Sequence, residues 1–342
     1  MKRLLSIILI SVFALGLVGG VAAQGDLGSE SNPIQMFFVP SVEVQYIVEG
    51  GDIMAQALKE ATGLNFEVSV PTSYAATIEA MCASPGNSMG FIPAAGYVLA
   101  NNRCGVEVGA AAVRFGWAYY WAQYLVRRDS DIYTFGDLAG KTWGYGDPGS
   151  TSGYIVPSVE LQAAGIEVGD TVETGGHNQT VLAVYNGEVD FGTTFFSPPL
   201  MPAGHARWST KDLPEPYDLS IDQSYIGEDG RLYVGDIRIM DARQAVRETA
   251  PDVVDRVRIL AISDPIPNDT LSFGPDFPME LRTQIIEALA AFTQTEACQQ
   301  SLCSPDFYEW TGVEPVTDDA FDSVRLQFEV LGLTEADVFG EG

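Results

Sequence analysis

The chain is poor in positive charge, histidine, cysteine and long apolar runs, and each shortage excludes something. Only 18 of its 342 residues are Lys or Arg, against 46 Asp or Glu, for a net charge of −28. Nucleic acid is thereby excluded as a partner, because phosphate backbones are held by basic patches. Such an acidic exterior suits a strongly hydrated extracellular or halophilic surface. Two histidines, His177 and His205, rule out a His-rich metal site. The four cysteines lack Cys-x-x-Cys spacing, which argues against zinc, and they suit disulfides in an oxidising compartment. Cys298 and Cys303 are near enough to close a small loop, leaving Cys82 and Cys104 to pair across a strand–helix unit. Nothing in the residues asks for a metal or an organic cofactor.

What is present begins with a targeting segment. Lys2 and Arg3 precede an apolar run from Leu4 to Val18, and Val21-Ala22-Ala23 offers a small-residue cleavage site. Residues 1–23 therefore read as a secretory signal peptide. An uncleaved anchor is the alternative, and the small-residue end favours cleavage. The expected product is soluble, secreted across the inner membrane, and periplasmic or extracellular. Losing Lys2 and Arg3 takes its charge from −28 to −30.

The remainder is long enough for two lobes and alternates strands with helices. Gln35-Met36-Phe37-Phe38-Val39-Pro40 predicts a buried first strand, and Ile53, Met54, Ala57, Leu58 and Ala61 mark one face of a helix stopping at Gly63. Residues 66–70 predict a strand, 73–83 a helix, 89–92 a strand and the stretch to 102 a helix. Residues 117–126 are aromatic and extended, and Arg127-Arg128-Asp129 marks the expected crossover to a second lobe. There the alternation repeats, with strands near 142, 172 and 189–193 and helices from Ser150 and His177. The polar stretch 198–230 reads as a long surface excursion, a lid or a partner surface. Residues 242–257 predict a helix, 258–262 a strand leading back, and 280–292 an amphipathic helix with Leu281, Ile285, Leu289 and Phe292 on one stripe. The fold class is α/β with doubly wound parallel lobes. The expected division is 24–126 for the first part of lobe 1, 127–262 for lobe 2, and 263–342 for the return to lobe 1 with C-terminal helices.

The densest chemical signal is Gly146-Asp147-Pro148-Gly149-Ser150-Thr151-Ser152-Gly153, three consecutive hydroxyls between glycines where a strand runs into a helix. A helix N-terminus carries unpaired amides and the positive end of the dipole, so it can hold an anion without Lys or Arg. Ser and Thr add hydroxyl donors. Plain helix capping is the simpler alternative. The run lacks the lysine of a phosphate-binding P-loop, and Thr151 stands where a nucleophile elbow needs serine.

Further segments fall at comparable strand ends: Gly175-Gly176-His177-Asn178-Gln179-Thr180, Pro71-Thr72-Ser73-Tyr74, and Ser263-Asp264-Pro265-Ile266-Pro267-Asn268-Asp269. Together with the hydroxyl run they resemble the substrate-binding proteins of phosphate, phosphite and phosphonate ABC transporters, over residues 33 to about 311. The resemblance implies a type 2 periplasmic-binding-protein fold, two α/β lobes joined by a two-strand hinge with ligand between them. It implies a phosphorus oxyanion gripped by Ser150, Thr151 and Ser152, with His177 donating from the facing helix and Tyr74 and Tyr120 contributing phenols. Asp269 would accept from a protonated ligand oxygen, favouring monoprotonated species. The implied partners are that small oxyanion and a membrane permease, with the protein itself a monomer.

Each residue has a plainer alternative. Tyr74 and Tyr120 could be core aromatics, with Tyr119 competing for the second role. His177 could cap its helix and Asp269 a turn. Family members that take aminoalkyl phosphonates place a carboxylate where this chain has about Ser197, within Thr193-Thr194-Phe195-Phe196-Ser197. The expected ligand is therefore phosphite, phosphate or a short alkylphosphonate. Lys59, Lys141 and Lys211 lie outside these motifs, so affinity is expected from short hydrogen bonds, not from a Lys or Arg ion pair. The other readings are a sensory binding protein of the same fold, and a secreted hydrolase using Ser150 or Ser152 with His177 and Asp190.

Overall fold

The computed structural model describes residues 26–332, so the expected signal peptide lies outside the described residues. The first lobe starts with β1 (Ile34–Phe38), α1 (Val44–Thr62), β2 (Phe66–Ser69), α2 (Tyr74–Ala83), β3 (Ser88–Ile92), α3 (Ala94–Cys104) and β4 (Glu107–Val113). The chain then crosses to β5 (Tyr119–Arg127), β6 (Trp143–Tyr145), α4 (Val156–Ala163), β7 (Thr171–Glu173), α5 (His177–Asn186) and β8 (Phe191–Phe196). An insertion carries β9 (Ser224–Ile226), β10 (Leu232–Val234) and β11 (Ile237–Arg238), followed by α6 (Val253–Arg256) and β12 (Val257–Ile262). The return brings β13 (Ile266–Pro267), β14 (Thr270–Phe273), α7 (Met279–Phe292), β15 (Gly312–Pro315) and α8 (Asp322–Leu331).

The first sheet has the order β15-β4-β14-β3-β1-β2, the second β12-β5-β8-β6-β7 with β13 on β5. β1, β2 and β3 run parallel, and the returning β14 inserts antiparallel between β3 and β4. Two crossings, at 114–118 and 263–269, therefore join the lobes. β3 is buried along its length, as a central parallel strand must be. The Cys82–Cys104 disulfide ties α2 to the last residue of α3, and Cys298–Cys303 closes its short loop.

Several expectations are corrected. Arg127-Arg128-Asp129 is not the crossover, because the aromatic strand before it is a centre of the second sheet. Its Trp121 and Leu125 enter one core of that lobe, and Tyr124 and Val126 the core on the other face. Alternation with both faces buried identifies a central strand. Residues 242–257 do not form one helix. Ala242–Val246 is a 3-10 turn capped by Asp241, and Pro251 separates it from the four residues of α6. β4, rich in Gly and Ala, was not expected as a strand, since those residues have weak strand preference. On α7 the buried stripe is Arg282, Ile285, Leu289 and Phe292, with Leu281 only partly covered. Arg282 fits because the carbonyls of Gly274, Pro275 and Phe277 accept from its guanidinium and Glu107 pairs with it.

The 198–230 excursion runs over the surface of lobe 2, as expected, and is anchored at a few points. Trp208 is buried edge-on against Trp117, Trp121 and Phe196. Glu215 and Tyr217 help cage Arg243, which is fully buried and also pairs with Asp241 at 2.9 Å while donating to the Val257 carbonyl. A caged charge of this kind is costly to remove on one side only, because its partners stay buried. Arg243→Ala is expected to lower unfolding free energy by about 3–5 kcal/mol, read as a lower urea midpoint. A loss below about 1 kcal/mol would show that the cage does not hold the insertion.

Candidate functional site

The C-terminal ends of the parallel strands of both lobes face each other, so the helices that follow aim their N-termini into the gap. Between them lies a cavity of about 60 Å3, lined by Tyr74, Tyr120, Ser150, Ser152, His177 and Asp269 among others. Six of the seven sequence-predicted ligand residues thus meet at one place. Tyr119, half exposed, points away, and Tyr120 takes the inward position.

The hydroxyl run opens α4 through a π-turn over Thr151–Ile155, with both Tyr154 and Ile155 amides on the Ser150 carbonyl. Ser150 Oγ accepts from the Gly153 amide at 3.1 Å, which leaves its own O–H free to donate. Capping and ligand contact are therefore compatible in one side chain. The Gly153 carbonyl, released by the wide turn, accepts from Thr193, whose hydroxyl in turn accepts from the Trp143 indole at 2.8 Å. A Cβ on Gly153 would lie 2.8 Å from Ser150 Oγ and 3.5 Å from the His177 ring. A Cβ on Gly149 would lie 2.7 Å from that of Tyr74. Both glycines are thus required by close approach, within the loop and between the lobes.

Thr151 departs from expectation. It is fully buried behind the lining, and its Oγ1 accepts from the Ala95 amide, in the first turn of α3, at 2.9 Å. Its role is to bridge the lobes. Parallel bridges run from the Tyr74 amide to Asp147 (3.2 Å), from the His177 amide to the Ser41 carbonyl (3.1 Å), and from Asn178 and Gln179 to Glu43 (2.9 Å each).

A positive charge also stands in the cavity, against the expectation of none. Arg114, on the first crossing, pairs with Asp269 at 2.6 Å, donates to the Tyr308 carbonyl at 2.9 Å and lies 5.7 Å from the centre of the Tyr120 ring. It had no motif around it to betray it. Ser41, Gln244, Tyr308 and Glu309 were likewise missed, since they come from segments distant in sequence. Burial pushes the Tyr74 and Tyr120 phenols up, so both remain protonated donors. Burial, and then the charge of Arg114, pushes the His177 imidazole down to about 4. The ring stands edge-on to Phe195, and its Nδ1 is buried without a hydrogen-bond partner. Asp190 is exposed and accepts from the Thr142 amide at 2.8 Å, so no Ser-His-Asp relay forms.

Residues 36–321 match the family model described as the periplasmic substrate-binding protein of a phosphonate ABC transporter. The chain is 27% identical to the phosphate-import protein PhnD of Mycolicibacterium smegmatis, covering 87% of this chain and 86% of that one. It is 41% identical to the phosphonates-binding periplasmic protein of Escherichia coli over 81 residues, 22% of this chain and 24% of the other. Two solved structures share the fold. A phosphonate-transporter binding protein of Pseudomonas aeruginosa has TM-score 0.64 at 19% identity, covering 86% of this chain and 85% of its own. PhnD1 of Prochlorococcus marinus in complex with methylphosphonate has TM-score 0.65 at 11% identity, covering 88% and 98%.

A histidine held near 4 when folded and about 6.5 when unfolded binds fewer protons in the native state over that interval. Stability must therefore fall as pH drops from about 6.5 towards 4. In His177→Gln this part of the slope is expected to vanish, so the two proteins' melting curves should converge as the solution is acidified. Parallel melting-temperature profiles of the two proteins would refute the buried neutral assignment.

Proposed function

The chain belongs to the family of periplasmic substrate-binding proteins of phosphonate ABC transporters, and on that premise we propose that it captures a small phosphorus oxyanion, namely phosphate, phosphite or a short alkylphosphonate. It is an extracytoplasmic phosphonate/phosphate-binding protein and not an enzyme, and its family role implies delivery to a membrane permease. The reading is carried by one observation: a cavity between the lobes whose polar lining consists chiefly of hydroxyl, phenol and imidazole groups.

A water needs about 10–15 Å3 of such space, so a cavity of 60 Å3 admits a small polar ligand. A tetrahedral oxyanion fits that room. Charge argues the same way. Asp269 is matched by Arg114 and Glu309 by Arg238, so no unpaired carboxylate awaits an ammonium group. The uncharged Ser197 lines the cavity where aminoalkyl binders place an acid. The import of phosphate named for the mycobacterial relative and the methylphosphonate bound to PhnD1 support the same class.

Ser150, Ser152, Tyr74, Tyr120 and His177 would donate to the oxyanion, together with the Thr151 and Ser152 amides that open the π-turn. Asp269, an acceptor, would take a proton-bearing ligand oxygen. Closure would bring these donors together and exclude water, which strengthens each bond. Thr151 contributes through the Ala95 bridge.

In calorimetry, phosphate, phosphite and methylphosphonate are expected to bind, with sulfate and aminoethylphosphonate at least tenfold weaker. Tighter binding of aminoethylphosphonate than of all three would overturn this ligand assignment. Loss of one donor to a charged group costs about 1.5–3 kcal/mol, so Ser152→Ala should weaken the best ligand by about 10- to 100-fold. Thr151→Val leaves the buried Ala95 amide unpaired in the closed form and should weaken it to a similar degree without altering the far-ultraviolet circular dichroism. Normal affinity in both variants would show that the hydroxyl run is only a cap.

A further inference from the structure

The insertion after β8 and the segment before β15 supply a second wall of the cavity, with Met240 and Gln244 on one side and Glu309 on the other. Glu309 has the positive φ of 53° that residues with a Cβ avoid, so the fold holds it there at a cost. It is buried, pairs with the buried Arg238, and accepts from Gln244 Nε2 at 2.8 Å. The same Nε2 donates to the Met240 carbonyl at 3.3 Å. A carboxylate held by a guanidinium and a carbonyl can only accept, so the amino end of the Gln244 amide is committed to them. The carbonyl end has no such freedom to turn round. Gln244 lines the cavity, and its Oε1 is buried with no hydrogen-bond partner. An unpaired buried acceptor is unfavourable unless something donates to it.

We propose that Gln244 is a ligand-selecting residue whose Oε1 accepts from a second protonated oxygen of the bound oxyanion. This rests on the phosphorus-oxyanion reading and narrows it. With Asp269 taking one P–OH, two acceptors face the ligand, and both call for hydroxyls. Dihydrogen phosphate carries two P–OH groups, while the monoanions of phosphite and methylphosphonate carry one each. Fully deprotonated anions such as sulfate carry none and would set lone pairs against Oε1. The structure thus favours phosphate, and the chain Arg238 to Glu309 to Gln244 fixes the orientation that makes the distinction. Glu309 is a positioning residue and Gln244 the contact.

The test is calorimetry at pH 6 on the wild type, Gln244→Leu and Glu309→Gln, with inorganic phosphate, methylphosphonate, sulfate and aminoethylphosphonate. The wild type is expected to prefer phosphate over methylphosphonate by about tenfold, the worth of one such hydrogen bond. Gln244→Leu should abolish that preference by weakening phosphate about tenfold, with methylphosphonate changed less than threefold. Glu309→Gln supplies an amide that can donate, lets Gln244 turn its oxygen away, and should reduce the preference in the same direction. A melting temperature within a few degrees of wild type shows that the variants are folded, and should one fail to fold, the other decides. An unchanged phosphate-to-methylphosphonate ratio in the folded variants, or a selective loss of aminoethylphosphonate, overturns the proposal. A wild type that binds no phosphorus oxyanion removes the broader reading and this one together, whereas binding without the Gln244 effect removes this one alone.

Discussion

The first-turn amides of a helix have no partner within the helix, and the arrangement of this molecule follows from where those donors go. Three of them, at Tyr74, Ala95 and His177, find acceptors on the opposite lobe, at Asp147, Thr151 and Ser41. In the π-turn before α4, the Gly153, Tyr154 and Ile155 amides are taken by Ser150, and those of Thr151 and Ser152 are the ones proposed to meet an anion. The same physical deficit therefore draws the lobes together and attracts an anion between them. It also explains Gly149, where a Cβ would lie 2.7 Å from that of Tyr74 across the cleft.

An acidic chain that binds an anion faces an unfavourable field, with −28 charges distributed over it. The cavity answers locally. Arg114 and Asp269 cancel, Arg238 and Glu309 cancel, and His177 is neutral, so helix dipoles and protonated hydroxyls set the potential where the ligand sits. Desolvation amplifies those small dipoles and would equally amplify any unmatched charge. Paired charges in the wall are thus the condition for short-range donors to dominate.

Much of this was legible in the sequence because its signal is local. The strand-to-helix junctions at Ser150, His177 and Tyr74 announce themselves by glycine, hydroxyl and apolar spacing within ten residues. Family membership, the α/β class and both disulfides follow from the same local patterns. What was missed is non-local. Arg114 has an ordinary neighbourhood in the chain, and its partner Asp269 lies 155 residues away. Glu309 and Gln244 are 65 residues apart and meet only when the insertion and the C-terminal segment are folded. The boundary at Arg127 was misplaced for a related reason. A charged run resembles a linker in sequence, whereas the strand before it is claimed by partners, β8 and β12, that come much later. Thr151 has a partner the sequence did not announce, the Ala95 amide of the other lobe.

The insertion runs largely over the surface, as its polar composition suggests, and is anchored by a few buried groups. Arg243 is caged by Asp241, Glu215 and Tyr217, and Trp208 anchors the excursion to the aromatic face of β5. These contacts give lobe 2 a rigid flank that a short loop would not. Rigidity matters because Met240 and Gln244 leave that flank directly for the cavity, the latter held at its amino end by Glu309 from lobe 1. A wall made by both lobes exists only when they are closed. Whatever its lining selects would therefore be selected at closure. On the proposal for Gln244, discrimination at that step would fall on the ligand's protons, because Gln244 Oε1 is an unpartnered acceptor.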